Sequence, residues 1–321
     1  MKIGIDIMGG DFAPKSTIGG VIQAQKELPS DVQLVLFGDE KIITSMLIAA
    51  GANPTHFLIS HAPEVIGMGE HPTKAFSQKP NSSIALGFDS LKKNNIDAFA
   101  SVGNTGAMLV GSMFSVGTIQ GIIRPCISTL VPKESGGIGI ILDAGTNPDC
   151  KPDNLYQFGI IGSLYAEFVY NIKNPKVGLL NIGEEEEKGN LLSQAAFKLL
   201  KEAKEINFIG NIENRDLFKD KVDVVVCDGF TGNIVIKQIE AMYRLIVKQG
   251  FHNDFMDRFN YENYGGTPIL GINGTVIIGH GISNEKAIKN MILQTKNVVE
   301  AKLYEKINTT FKTYTHSKIN E

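Results

Sequence analysis

The chain has 321 residues, with 31 lysines and arginines against 34 aspartates and glutamates and a formal net charge of −3. This balance excludes the broad basic surface that binds nucleic acid, and 43% hydrophobic against 20% charged residues excludes a disordered chain. The three cysteines form no CxxC pair and no signal peptide is evident at the N-terminus, so we expect a cytoplasmic protein.

Short runs rich in valine, isoleucine and leucine recur along the chain, mostly continuous rather than alternating, as in strands covered on both faces. In chain order, the predicted strands are Lys2–Met8, Val32–Phe37, Phe57–Ser60, Asp97–Val102, Ile138–Leu142, Lys176–Ile182, Asn207–Ile209, Val222–Cys227 and Thr275–Ile278. Helical patterns lie between them, which predicts an α/β fold with a mainly parallel sheet wrapped by helices. No linker is visible, so we expect a single domain over residues 1–321 and leave open two lobes that share one sheet.

Several apolar stretches have helical spacing. The stretch Ala107–Ile123 predicts a buried helix, and apolar residues between Ile234 and Ile246 and between Ile288 and Leu303 predict two more, each with one apolar face. The aromatic residues between Phe251 and Phe259 fit core packing, a dimer contact or an amphipathic patch on a membrane surface.

The 34 glycines concentrate where predicted strands end and helices begin. The glycine turns are Asp6–Asp11, Ser101–Gly106, Asp143–Asn147, Asp228–Asn233 and Gly279–Ser283. Two of them align with each other, Asp97, Gly103, Thr105 and Gly106 matching Asp223, Gly229, Thr231 and Gly232. We interpret this match as shared turn geometry, with a faint internal repeat as the alternative.

Such turns suit an anion. Parallel strands end at one edge of a sheet, where helix N-termini present free N–H groups and glycine lets the backbone approach a ligand. The alternative is that the turns are only tight connections with helix caps. The chain has no G-x-G-x-x-G or G-x-x-x-x-G-K-[ST] motif and no H-E-x-x-H motif, so we expect neither a nucleotide cofactor nor a metal.

Two side chains near the turns carry useful chemistry. Lys188, in the loop Gly183–Gly189, is able to reach a phosphoryl or carbonyl oxygen, or the loop is simply a solvated helix start. His280 lies between two glycines at a strand end, where a catalytic or anion-binding role is open.

The motifs in order resemble the bacterial phosphate acyltransferase family of phospholipid synthesis. The residues that carry the resemblance are Asp6–Pro14, Ser101–Ala107, Ile122–Pro125, Leu142–Asn147, Val177–Gly189, Phe208–Asp216, Val224–Asn233 and Tyr264–Ser283. The resemblance implies a three-layer α/β/α fold related to the isocitrate and isopropylmalate dehydrogenases. It also implies transfer of a long-chain acyl group from acyl carrier protein to inorganic phosphate, which gives acyl phosphate.

The resemblance further implies partners and a location. We expect a homodimer in the cytoplasm with peripheral membrane association, and a downstream membrane acyltransferase that passes the acyl group to glycerol 3-phosphate. No cofactor and no nucleic acid are implied.

The reaction needs a positioned anion and stabilisation of a tetrahedral oxyanion rather than an enzyme nucleophile. The candidate catalytic residues are Asn104, Lys188 and His280. The candidate phosphate or oxyanion ligands are Gly9, Gly10, Asp11, Gly103, Thr105, Gly106, Asn147, Asp228, Gly229, Thr231, Gly232 and Asn233. Asp6, Asp11, Asp143 and Asp228 are expected to orient donors.

Three other functions stay open: a decarboxylating dehydrogenase of the same fold, a phosphotransacetylase that uses a short acyl-CoA, and a non-catalytic partner of lipid enzymes. NAD and metal dependence would identify the first, and the choice of acyl donor the second. Binding of carrier protein without turnover would identify the third.

Overall fold

The computed structural model describes residues 1–319, which divide into two compact units. Unit 1 comprises Met1–Thr118 and Tyr261–Glu300, and unit 2 comprises Ile119–Asn260 and the segment from Ala301 onwards. Numbered along the chain, the strands are β1 (Lys2–Asp6), β2 (Gln33–Gly38), β3 (Leu58–His61), β4 (Ala98–Ser101), β5 (Cys126–Pro132), β6 (Ile138–Leu142), β7 (Lys176–Leu180), β8 (Asn207–Ile212), β9 (Val224–Val226), β10 (Gly266–Leu270) and β11 (Thr275–Gly279). The α-helices are α1 (Lys15–Glu27), α2 (Glu40–Ala49), α3 (Pro72–Gln78), α4 (Ser83–Lys92), α5 (Thr105–Gly111), α6 (Pro152–Tyr170), α7 (Leu191–Glu202), α8 (Gly229–Lys248), α9 (Asp254–Asp257), α10 (Glu285–Glu300) and α11 (Leu303–Ile319).

In unit 1 the strand order is β3-β2-β1-β4-β11-β10. All neighbouring pairs are parallel except β10, which runs antiparallel to β11. The strands other than β3 are mostly apolar and buried, with Ile5, Leu36 and Phe99 fully covered, and α4 and α10 pack on them. The turns that follow β1, β4 and β11 therefore lie at the same edge of these strands.

In unit 2 the strand order is β5-β6-β9-β7-β8, and β5 is antiparallel to β6 while the other pairs are parallel. The core contains Val131, Ile141, Ile212 and Val225, and α6 packs on β6, β7 and β9. Both units thus have mainly parallel strands with packed helices, which confirms the predicted α/β fold class.

The two strands missing from the sequence prediction, β5 and β10, are the antiparallel ones. Each contains a proline, Pro132 at the end of β5 and Pro268 inside β10, and β10 begins at a glycine. Proline and glycine are depleted in strands, so the local pattern favoured a turn. Neighbouring strands in the fold overrode that preference.

The helix predicted over Ala107–Ile123 is shorter and less buried than expected. It begins as α5, continues as a π-helical turn over Ser112–Val116 and stops at Gly117, whose φ is +82°. Phe114, within the π-helical turn, is 73% exposed, so this turn is not buried as predicted. The predicted helix also does not continue beyond Gly117.

Helix α8 was predicted to have one apolar face that includes Ile234, Ile239 and Met242, and only part of this face is buried. Val235, Ile236 and Ile239 pack against the core of unit 2, whereas Ile234 and Met242 are exposed. For α10 the predicted face is confirmed from Ile288 to Val298, which are both buried.

Candidate functional site

A buried carboxylate organises the turns of unit 1. Asp6, the last residue of β1, accepts hydrogen bonds from the Ser101 hydroxyl at 2.7 Å and the Met8 N–H at 3.0 Å. The Ser101 oxygen in turn accepts the N–H of Gly103 at 2.8 Å. A Cβ added at Gly9 would collide with the Asp6 carboxylate and lie 2.7 Å from the Gly103 Cα. The turns after β1 and β4 therefore touch through backbone that only glycine permits.

The environment of Asp6 also changes its acidity. Burial raises its pKa above the ordinary value for aspartate, and hydrogen bonds from Ser101 and Ser83 oppose the rise in part. Asp6 thus accepts hydrogen bonds within the turns and does not itself face solvent.

Asn104 caps α5 and also holds a distant loop. Its Oδ1 accepts the N–H of Ala107 at 3.0 Å, and its Nδ2 donates to the carbonyls of Gly67, Met68 and Glu70 at 3.0, 3.2 and 3.0 Å. The side chain is 5% exposed. Both ends of the amide are thus engaged by the protein, and sequence reasoning, which proposed a catalytic Asn104, missed the loop that it holds.

The first residues of α5 present open donors. Within residues 1–319, the N–H groups of Thr105 and Gly106 donate to no protein acceptor. Thr105 is exposed and Gly106 partly so, and a Cβ on Gly106 would collide with the ring of Pro72. Unpaired N–H groups at a helix start attract negative charge.

The turn after β11 lies against the turn after β1. The Asp11 N–H donates to the Gly281 carbonyl at 2.8 Å, and Gly10 has a φ of +99°, which favours glycine. The exposed His280 ring lies 4.7 Å from the Tyr261 ring, and the Tyr261 hydroxyl donates to the Ile282 carbonyl at 3.2 Å. Tyr261 supports His280 and was not found from the sequence.

In unit 2 a second buried carboxylate holds the turn after β6. The Oδ1 of Asp143 accepts the N–H groups of Ile127, Gly145 and Thr146, each at 3.2 Å. Its Oδ2 accepts the Asn147 N–H at 2.7 Å and the Asn147 side-chain amide at 2.8 Å. The amide of Asn147 also donates to the Pro125 carbonyl at 2.8 Å, so this side chain is engaged within the protein.

At the start of α8 most donors are bonded within unit 2, and among the described residues the Phe230 N–H has no acceptor. Asp228 accepts the N–H and the hydroxyl of Thr231, each at 2.8 Å, while the Gly229 N–H donates to the Asn147 carbonyl at 2.8 Å and the Gly232 N–H to the Asp228 carbonyl at 3.0 Å. A Cβ at Gly232 would collide with the Asp143 carbonyl. The donors predicted here for phosphate are therefore bonded to the chain itself. Asn233 donates to the Ala144 carbonyl at 3.3 Å.

Lys188 lies in the loop that follows β7. Its stem covers Gly183, its carbonyl accepts the side-chain amide of Asn181 at 3.0 Å, and its ammonium forms no ion pair within the described residues. Two neighbouring glutamates are paired instead, Glu184 with Lys221 at 2.7 Å and Glu186 with Lys201 at 2.5 Å. Lys188 is exposed, so its charge is available to a ligand.

The cysteines, scattered in sequence, gather around Asp143. Burial, followed by the charge of Asp143, raises the pKa of Cys126 and that of the half-buried Cys150, which reaches about 11. Burial and the charges of Asp228 and Asp143 also raise the pKa of Cys227, which is buried as predicted. Protonated thiols are poor nucleophiles, which accords with chemistry that uses none.

The structure thus brings the predicted residues together in two groups. The unit 1 group holds Gly9, Gly10, Asp11, Gly103, Asn104, Thr105, Gly106 and His280, and the unit 2 group holds Asn147, Asp228, Gly229, Thr231, Gly232 and Asn233. Lys188 lies in a separate loop of unit 2. Among residues 1–319, no helix has both the length and the apolar character needed to cross a membrane.

Comparison with known proteins adds an independent finding. The family described as "Fatty acid synthesis protein" matches residues 1–306. The phosphate acyltransferase of Dictyoglomus turgidum is 43% identical, and the alignment covers 96% of each chain. The phosphate acyltransferase of Halothermothrix orenii is also 43% identical, over 93% of this chain and 95% of the relative. These matches confirm the resemblance predicted from the motifs and the prediction of an acyltransferase enzyme.

Solved structures extend the likeness to the fold. A phosphotransacetylase from Streptococcus pyogenes superposes with a TM-score of 0.66 at 15% identity, covering 93% of this chain and 94% of that one. A branched-chain phosphotransacylase from Enterococcus faecalis V583 gives 0.64 at 13% identity, over 93% and 99%. At such low identity these likenesses show the fold.

Proposed function

Because the chain belongs to the family of fatty acid synthesis proteins, we propose that it transfers a long-chain acyl group from acyl carrier protein to inorganic phosphate. The products are acyl phosphate and free carrier protein, and the reaction serves phospholipid synthesis. The observation that carries this proposal is the pair of open N–H groups on Thr105 and Gly106, at the edge of unit 1 where the glycine turns meet.

The chemistry requires little from side chains. A phosphate oxygen forms a bond to the thioester carbonyl carbon, the tetrahedral oxyanion collapses, and the carbon–sulfur bond breaks. The thiolate leaves and takes a proton from water. Inorganic phosphate is already largely dianionic at neutral pH, so the protein must mainly hold the anion and stabilise the oxyanion.

The open donors of α5 suit this task. Thr105 and Gly106 offer adjacent N–H groups at the positive end of a helix, and both are accessible from solvent. His280, held against Tyr261, is a candidate to add charge or a hydrogen bond to the phosphate. Lys188 remains a candidate for charge stabilisation, whereas the predicted donors of the turn Asp228–Asn233 are bonded to the chain itself.

We further propose that the protein is a homodimer. Helix α8 exposes Phe230, Ile234, Met242 and Leu245 at 62, 52, 46 and 52%, at spacings that place them along one side of the helix. An apolar stripe of this kind is typical of a protein contact. A second copy would cover it, and light scattering of wild type and L245E would test the assignment.

Peripheral membrane association and a cytoplasmic location complete the proposal. Phe255 packs edge to face on Phe259 with 5.5 Å between ring centroids, and Phe259 packs edge to face on Phe218 at the same distance, so these rings pack within unit 2. Phe251, 69% exposed, is left as the aromatic contact for lipid. The unstable acyl phosphate would then pass to a membrane acyltransferase that acylates glycerol 3-phosphate.

The test is an assay of the purified chain with palmitoyl-acyl carrier protein and inorganic phosphate. We expect free carrier thiol and acyl phosphate to appear together, with no turnover when phosphate is omitted. Faster turnover with acetyl-CoA would favour a phosphotransacetylase, and binding of the carrier protein without turnover would favour a non-catalytic partner. Either result would overturn the proposal.

A further inference from the structure

The loop Ile66–His71, here called the Met68 loop, has an unusually well-held backbone. The Asn104 amide donates to the carbonyls of Gly67, Met68 and Glu70 at 3.0, 3.2 and 3.0 Å. The Glu70 carboxylate accepts the Gly67 N–H at 2.9 Å and pairs with Lys79 at 2.5 Å. The hydrogen bond from Lys79 lowers the pKa of Glu70 and keeps the pair charged. Such a loop is fixed although it has no secondary structure.

The tip of the loop carries one large apolar side chain. Met68 is 40% exposed, and Gly69 beside it is exposed with no atom within 4 Å of where its Cβ would be. Methionine is flexible and polarisable, and exposed methionines are common on surfaces that bind varied apolar ligands. The protein has thus built a rigid support for an adaptable apolar group.

The loop borders the turns assigned to phosphate and oxyanion. A Cβ on Gly281 would lie 2.5 Å from the Met68 Cε and 3.7 Å from the Asp11 carboxylate, so the Met68 methyl covers the turn after β11. Directly after the loop, the Pro72 ring packs on Gly106, the second open donor of α5. A ligand on these turns meets an apolar side chain at their rim.

We propose that Met68 determines specificity by contacting the apolar chain of the acyl donor near its thioester, and that Asn104 is a positioning residue that holds Met68 there. The inference rests on the proposed function, because the acyl chain is the apolar part of that substrate. It also changes the role of Asn104. The Asn104 amide donates its hydrogen bonds to the Met68 loop. Asn104 therefore acts on the acyl group through Met68 rather than on phosphate.

The test compares acetyl and palmitoyl groups on acyl carrier protein, because only the palmitoyl group has an apolar chain beyond the first methyl next to the thioester. The constants kcat and KM are measured for the acyl donor and for phosphate. For M68A we expect kcat/KM with the palmitoyl donor to fall about tenfold, mainly through KM of the donor, because a lost apolar contact has about this effect on discrimination. The KM for phosphate should stay within about twofold of wild type. M113A is the matched control, since Met113 is also an exposed methionine of unit 1, at 46%, and lies outside the Met68 loop in sequence.

The Asn104 variants separate its two roles. In N104S the serine is able to cap α5 but is too short to reach the loop carbonyls, so α5 should still form while the Met68 loop loses three hydrogen bonds. If Asn104 positions Met68, N104S loses the same preference for the palmitoyl donor as M68A. The double variant then falls no further than M68A alone. A cap without a positioning role would leave the chain-length preference of N104S at the wild-type value.

The outcomes distinguish this inference from the proposed function. If wild type makes no acyl phosphate from any donor, the proposed function fails. If wild type is active and M68A keeps the wild-type ratio of palmitoyl to acetyl kcat/KM, the assignment of Met68 is wrong. Additive losses in the double variant would refute the positioning role of Asn104.

Discussion

The turn clusters of the two units look alike in sequence and differ in what they leave open. In each, a buried aspartate at a strand end, Asp6 or Asp143, holds neighbouring glycine turns together. Helix α5 of unit 1 begins with the N–H groups of Thr105 and Gly106 unbonded among the described residues. Helix α8 of unit 2 has the N–H groups of Gly229, Thr231 and Gly232 bonded to Asn147 and Asp228.

The difference lies at the first N–H of each helix: that of Gly229 donates to the Asn147 carbonyl, whereas that of Thr105 has no acceptor among the described residues. The two capping side chains each accept the third N–H of their helix and differ in charge. Asn104 is neutral, and its single carbonyl oxygen satisfies one N–H, that of Ala107. Asp228 brings a negative charge and satisfies both donors of Thr231. A carboxylate at a helix start neutralises the positive end of the helix dipole. The open first donor and the neutral cap of α5 favour the unit 1 cluster as the place for the anion of the proposed reaction.

The largest expected effect is on the free energy of unfolding, when each of the two buried aspartates is changed to asparagine and the two variants are compared. In D143N, the new NH₂ group would face the N–H and amide donors of Asn147, so buried donors would lose their acceptor. We expect a loss of about 3–5 kcal/mol in the free energy of unfolding. The measurement is urea denaturation followed by circular dichroism.

D6N is the matched variant. Asp6 accepts from the Ser101 hydroxyl, which is able to turn and receive a bond from the new NH₂ group instead. We expect a change of about 1 kcal/mol or less at neutral pH. Equal losses in D143N and D6N would contradict the distinction between the two clusters.

For T105P we expect a small change in the free energy of unfolding and a large fall in kcat. Thr105 is the first residue of α5, where proline is favoured, and Asn104 before it has an extended ψ of 109° that suits a following proline. The substitution removes one open N–H and should lower kcat by about 10²–10³. Steady-state kinetics with the acyl donor and phosphate would measure it.

T105A keeps the N–H and removes the hydroxyl, so it should lose far less activity than T105P. Thermal melts of both variants check that α5 still forms. If T105P and T105A had equal kcat, the backbone donor would have no part in the reaction.

The next prediction concerns how Asp6 makes the free energy of unfolding depend on pH. Burial raises its folded-state pKa above the unfolded value of 3.8, so its contribution to stability is fully present below about pH 4 and is lost as the pH rises through the folded value. Relative to D6N, wild type should lose stability from acid to neutral pH. Denaturant titrations of both proteins across this range measure the difference, and parallel curves would contradict it.

The smallest effect concerns Cys150 beside Asp143. Burial and the charge of Asp143 raise its pKa to about 11, so its thiolate fraction keeps rising through pH 10. Alkylation by iodoacetamide, followed by peptide mass mapping, should accelerate about tenfold per pH unit. A rate that levels off near pH 9 would show an ordinary thiol.

The sequence match between Asp97–Gly106 and Asp223–Gly232 reflects a real likeness at the strand starts but not at the helix starts. Asp97 accepts the Lys2 N–H at 2.6 Å, and Asp223 accepts the Lys176 N–H at 2.8 Å, so each aspartate joins the start of its strand to that of a parallel neighbour. The likeness ends at the turns, because α8 begins two residues earlier than α5 relative to the matched glycines. Local pattern predicts strands and turns, but not which donors a cap leaves open.

The Met68 loop lay outside what sequence reasoning reaches. The loop has no helical or strand periodicity. The hydrogen bonds from the Asn104 amide to its carbonyls join residues 34 to 37 positions apart. The glycine turns were found because glycine marks close backbone approach, as at Gly9 and Gly103. Side-chain hydrogen bonds between residues so far apart in sequence form only when the strands have assembled.

The most direct test of the central claim is a crystal structure of the protein with inorganic phosphate. The account predicts phosphate oxygens within hydrogen-bond distance of the N–H groups of Thr105 and Gly106, with the donors of α8 still bonded to Asp228 and Asn147. Phosphate bound at the first turn of α8, with the α5 donors facing water, would contradict it.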